Sequence, residues 1–198
     1  MKLAATDRNP VVLLHGLGDT AALFDRLCNY LDERGRKTHR FNLDPRWGGA
    51  GIEQLARQVG SYIDATFSPG EQIDLIGFSM GGLVARYYIQ RLAGLDRVSR
   101  LITISTPHRG TRIAYLHWNK GIRQMRPASN FLRDLNRDSH QLKRIQFTSI
   151  WTPWDLMIIP AASSVIPEAR PVRVAVLAHP LMVRDRRVMQ IVEQSLRE

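Results

Sequence analysis

The chain has 198 residues, 44% of them hydrophobic and 23% charged, enough for one domain with a full core. Its one cysteine, Cys28, excludes an intrachain disulfide framework and a cysteine metal cluster, and reads as a small hydrophobe on a helix. The formal charge of +10, from 28 basic and 18 acidic residues, is spread along the chain without zinc-finger spacing, an aromatic RNA-binding signature or a long basic run. That scatter argues against a nucleic-acid partner and reads first as a plain arginine-rich composition, with weak association with an anionic membrane surface as the alternative.

Met1 to Pro10 holds no apolar core of signal-peptide length, and no stretch approaches the ~18 apolar residues of a membrane span, so a cytoplasmic location is expected. Val11 to Leu14 is an apolar run that suits a strand buried on both faces; it breaks into His15-Gly16-Leu17-Gly18. Asp19 or Thr20 then caps a helix to about Arg34, ended by Gly35. A strand over 37–43, a glycine-rich loop over 45–51 and a helix over 52–67 follow. The next strand begins at Ile73 and its helix ends near Gly94; another strand covers 98–105. Residues 109–144 form an irregular, helix-containing excursion in which Ser129 caps a helix, either a lid or a solvated connection. Strands over 145–151 and 172–177 and a helix from Asp185 complete the pattern. Alternation of this kind predicts an α/β fold, a doubly wound, mostly parallel sheet of about six strands in one domain over 1–198. Ligands of such sheets gather beyond the carboxyl ends of the strands.

Gly77-Phe78-Ser79-Met80-Gly81 lies where the central apolar run turns into a helical pattern. A serine at the apex of Gly-x-Ser-x-Gly between strand and helix forms a nucleophile elbow, a turn so tight that its flanks must lack side chains. The helix behind it turns its amides toward negative charge developing at the serine. The Met80 N–H is thus the expected first oxyanion donor, and the Leu17 N–H, in the loop after the first strand, the second.

A serine hydroxyl needs a base, and the base an orienting carboxylate, in chain order serine, acid, histidine on this scaffold. His179 follows the last strand and Asp155 the one before it, so Ser79, Asp155 and His179 are the predicted catalytic residues. The rival acids Asp134 and Asp138 come too early, and Glu168 approaches from the wrong end of the last strand. His15 is expected to fix the oxyanion loop rather than act as a base. Leu17, Phe78, Leu181, Met182 and the 109–144 segment are the predicted walls of an apolar acyl site.

His15-Gly-Leu-Gly18, Gly77-Phe-Ser-Met-Gly-Gly82 and Ser105-Thr-Pro-His-Arg-Gly-Thr111 together resemble the bacterial triacylglycerol lipases and esterases of the α/β-hydrolase superfamily, closest to the small, nearly cap-less type. The resemblance runs from Val11 to the last helix. It implies a minimal α/β-hydrolase fold and hydrolysis of lipid or small-molecule carboxylic esters through Ser79, Asp155 and His179, with Leu17 and Met80 as oxyanion donors and no metal or cofactor. Phe78 departs from the histidine common before the lipase nucleophile, and Pro180 after His179 is unusual. Acyl transfer on the same scaffold and a non-catalytic lipid- or protein-binding module are the alternatives.

Overall fold

The structure, a computed structural model, describes residues 8–198. The reading of Met1 to Pro10 as lacking a signal peptide therefore falls mainly outside the described residues. Six strands form one parallel sheet in the order β2-β1-β3-β4-β5-β6: β1 Val11–Leu14, β2 Thr38–Phe41, β3 Ile73–Phe78, β4 Val98–Ile104, β5 Gln146–Trp151 and β6 Arg170–Arg173. The doubly wound α/β architecture expected from the alternation is the one observed.

Burial on both faces explains the unbroken apolar runs. Along β1, Val12 and Leu14 enter one core while Val11 and Leu13 enter the other. Along β3, Ile73 and Leu75 face the first core, and Ile76 and Phe78 the second. The period of two along each strand thus feeds two helical layers. The first core is covered by α2 (Ile52–Thr66), α3 (Met80–Arg91) and the excursion helix α5 (Asn130–Arg137). The second is covered by α1 (Asp25–Asp32), where Cys28 is buried, and α6 (Arg186–Ser195). A short helix, α4 (Lys120–Gln124), precedes α5.

Two elements depart most from expectation. The helix predicted from Asp19 or Thr20 starts as a 3-10 turn over Ala21–Phe24 and becomes α-helical only at Asp25. The last strand is Arg170–Arg173 rather than 172–177, so the apolar Val174 and Val176 pack in the core beyond it. Its pattern of burial is shallow because β6 is the sheet edge. The excursion is anchored rather than loose. Arg86 of α3, fully buried, donates from Nη2 to the Leu135 carbonyl at 3.1 Å and to Asn136 Oδ1 at 3.0 Å, and Gln90 Nε2 donates to the same carbonyl at 2.8 Å. Ser129 caps α5 as its position predicts, accepting from the Leu132 amide at 3.2 Å.

Candidate active site

Parallel register brings the carboxyl ends of β1, β3, β4 and β5 to one rim, and Leu14 pairs with Gly77 and Gly77 with Thr103. The β3-to-α3 turn there is as tight as its glycines require. A Cβ on Gly77 would lie 2.5 Å from the Gly82 Cα, one on Gly81 would run into the Leu14 carbonyl oxygen, and one on Gly82 would strike the Thr106 hydroxyl. Ser79 sits at φ 53, ψ −121, a conformation that non-glycine residues rarely adopt and that the packing around it enforces. Its amide donates to the Ile104 carbonyl at 2.9 Å, which fixes the turn to β4. The N–H groups of Leu17 and Met80 take no partner among the described residues.

His15 is buried and spans the oxyanion loop. Its Nε2 accepts from the Leu43 amide at 2.9 Å, so Nδ1 carries the proton donated to the Gly16 carbonyl at 2.8 Å. Burial holds its pKa below the usual histidine range, consistent with this neutral tautomer. Both ring nitrogens are used, which leaves no base at His15.

His179 heads a 3-10 turn over His179–Arg184, and its Nδ1 donates to Asp155 Oδ2 at 2.7 Å. Asp155 Oδ1 accepts from the amides of Met157 at 3.0 Å and Ile158 at 2.9 Å, so the carboxylate is oriented from both sides. Thr111 ties this loop to the one after β4, donating to the Met157 carbonyl at 2.8 Å and accepting from the Ile159 amide at 2.9 Å. The His179 ring packs on Phe78, with centroids 4.7 Å apart, directly beside the elbow. Ser79 and His179 line one cavity of about 270 Å³, though no hydrogen bond joins them. Such bonds are often long before substrate binds.

Of the expected acyl-site residues, Leu17 and Phe78 line this cavity, as do Ile113, Ile122 and Met125 of the excursion. Met182 does not: it is fully buried in the second core. Leu181 lines a separate surface groove with Leu177. Both lie on the 3-10 turn that begins at His179. One polar wall residue went unread. Asp19, immediately after the oxyanion loop, borders the cavity close to Gly16 and Ser79. Burial raises its carboxyl pKa, against the pull of His15, His179 and Arg184. Among the described residues, no group of three or more His, Cys, Asp or Glu side chains is placed to hold a metal.

A strained serine on a strand-to-helix turn, in a parallel sheet of this order, defines an esterase- or lipase-like α/β-hydrolase fold. The chain belongs to the palmitoyl protein thioesterase family, whose model matches residues 10–116. It is 35% identical over 125 residues to a triacylglycerol lipase of Pseudarthrobacter phenanthrenivorans, covering 56% of this chain and 36% of the relative. It is 34% identical over 105 residues to a lysosomal thioesterase PPT2 homolog of Drosophila melanogaster, covering 51% and 36%. The matched segment thus spans little more than a third of either relative. The structure is similar to that of lipase BlEst2 of Bacillus licheniformis in its mature form, with TM-score 0.75 over 96% of this chain and 92% of that one at 14% identity, a likeness of fold. The lipase resemblance of the sequence is thereby widened to the superfamily, and no lipase subfamily is singled out.

Proposed function

We propose that the chain hydrolyses carboxylic esters of apolar acyl groups, in the manner of the small lipases and esterases its motifs resemble. Ser79 Oγ attacks the acyl carbonyl while His179 Nε2 takes its proton. Asp155 holds the imidazole tautomer and stabilises the imidazolium. The N–H groups of Leu17 and Met80 receive the oxyanion, His179 protonates the departing alcohol, and water repeats the sequence on the acyl-enzyme. The observation that carries this reading is the Asp155–His179 hydrogen bond, 2.7 Å long, whose imidazole borders the cavity of Ser79. The cavity is small, at about 270 Å³, against the ~300–1,000 Å³ of ligand pockets in general, which favours short acyl chains.

Ser79→Ala is expected to lower p-nitrophenyl butyrate hydrolysis by at least ~10³-fold, and a fluorophosphonate probe to label the wild type alone. Retained hydrolysis in the variant would rule the mechanism out. The family match favours a second reading, in which the leaving group is a thiol. Matched oxygen and sulfur esters of butyrate separate the two by their kcat/KM ratio.

A further inference from the structure

All large hydrophobic side chains that are exposed among the described residues sit on one rim of the molecule. Trp47 lies on the loop after β2 and packs its ring against Gly18 of the oxyanion loop. Tyr115, Leu116 and Trp118 follow β4, and Trp118 is 81% exposed. Trp154, Leu156 and Met157 follow β5, and Leu177 and Leu181 follow β6, with Leu156 and Leu177 each 76% exposed. Among the described residues, the amino ends of the strands carry none. Single exposed hydrophobes are ordinary, but their confinement to four loops around one opening is not. The loops after β4, β5 and β6 also build the cavity: Ile113 and His117 line it where Tyr115, Leu116 and Trp118 are exposed. The apolar rim is therefore continuous with the mouth of the site.

Cations are interleaved with it. The Arg126 guanidinium lies 5.1 Å from the Tyr115 ring centroid and 5.7 Å from that of Trp118, and Arg46 lies 5.7 Å from Trp47. Arg184 borders the groove of Leu177 and Leu181. Of the rim acids, Glu53 and Asp185 are already paired, with Lys120 at 2.8 Å and Arg187 at 2.8 Å, and Asp19 and Asp44 are the carboxylates there without a salt bridge among the described residues, fewer than the arginines around them. Arg46, Arg123, Arg126 and Arg184 form no salt bridge among the described residues. Two such rims brought face to face would repel, which disfavours a second copy of the chain. Indole and phenol rings beside unpaired arginines match the boundary between lipid headgroups and acyl chains. Among the described residues, no helix is long and apolar enough to cross a membrane, so contact of this kind is peripheral.

We propose that the rim is a docking surface for an anionic lipid layer, which seats the cavity mouth on the layer so that acyl substrate enters from the lipid side. Docking is independent of whether Ser79 is the nucleophile, and binding can be read without turnover. The test is co-sedimentation with vesicles of phosphatidylglycerol and phosphatidylcholine. Tryptophan emission is followed in parallel, because three of the four tryptophans, Trp47, Trp118 and Trp154, are on the rim. The wild type is expected to bind with a blue shift, and to bind less as phosphatidylglycerol is removed or salt is raised. Trp118→Ser with Leu156→Ser is expected to lower the partition coefficient by at least about tenfold, while hydrolysis of a water-soluble acetate ester stays within about twofold. Failure of the wild type to bind these vesicles overturns the proposal. So does binding that survives the rim substitutions but is lost with Lys143→Glu and Arg144→Glu at the opposite edge, or a dimer in sedimentation equilibrium that the rim substitutions dissociate.

Discussion

The two ends of β3 are used in opposite ways. At its amino end, Asp74 is fully buried and its carboxylate is held by Asn9 Nδ2 at 3.1 Å and Arg100 Nη1 at 3.3 Å. Burial raises its pKa, and Asn9, Arg100 and Arg36 pull it back down. Arg36, also buried, donates to the Leu196 carbonyl and so ties the chain near its end to this edge. At the carboxyl end, five residues along, the strand stops at a strained serine whose neighbours leave two amides and an imidazole nitrogen without partners among the described residues. One edge closes charge on charge, and the other keeps polar groups available. Substitutions at the first should therefore register in stability, and at the second in rate.

The largest break of that contrast is Gly81→Ala. The added Cβ meets backbone oxygens, the Leu14 carbonyl and that of His15 at 2.6 Å, which cannot yield without moving β1 from α3. Ester hydrolysis should fall to background and stability by more than about 3 kcal/mol, as read from urea unfolding. Near-normal activity would mean that the elbow is not the closed turn described. Asp74→Ala should give the complementary result. It leaves Arg100 and Arg36 facing each other without their carboxylate, at a cost of about 1–3 kcal/mol, because the Arg100 side chain keeps some contact with water. The kcat should stay at the wild-type value; a fall in kcat without loss of stability would contradict the division between the two edges.

Much of the carboxyl edge was legible in the sequence because it is written locally. Glycines at fixed offsets around Ser79 and after His15 report turns whose geometry only glycine permits, and strand-then-loop order places Asp155 and His179 at the same rim. The sheet was legible because burial on both faces demands unbroken apolar runs. The end of the last strand was misread because Val174 and Val176 are apolar for a tertiary reason, packing under α1 and α6, and not because they pair in the sheet. Leu181 and Met182 lie on the 3-10 turn that begins at His179, one on a separate groove and the other in the second core. Nothing local marked Asp19 as a cavity residue, since an acid after a glycine turn also reads as a helix cap. The Arg86 anchor of the excursion was likewise invisible, because its acceptors are carbonyls and an amide 49 or more residues away.

The smallest effect concerns His108, which ends the Ser105-Thr-Pro-His turn but lies on the rear face of the rim, away from the cavity. Its Nδ1 lies 3.4 Å from Arg86 Nη1 and its Nε2 3.1 Å from Thr103 Oγ1. A guanidinium only donates, so Nδ1 must accept and the proton must sit on Nε2. A second proton would face Arg86, itself pushed down to about 9 by burial, with Arg109 adding to the repulsion. The carboxylates Asp138 and Glu168 act on Arg86, and neither is hydrogen-bonded to the imidazole. Burial first, and these cations second, hold the His108 pKa well below that of the unfolded chain. The unfolded state therefore binds more protons once pH falls below about 6.5, so stability is complete above that pH and is lost beneath it. One such histidine contributes a slope of at most about 1.4 kcal/mol per pH unit. His15, lowered by burial too, adds a slope of the same sign. In urea unfolding between pH 5 and 7.5, His108→Gln should flatten the dependence below pH 6.5 without abolishing it, and should leave the pH profile of ester hydrolysis unchanged. Equal slopes in the variant and the wild type would mean that His108 takes up its proton in the folded state as readily as in the unfolded one, and that the Arg86 anchor tolerates a neighbouring positive charge.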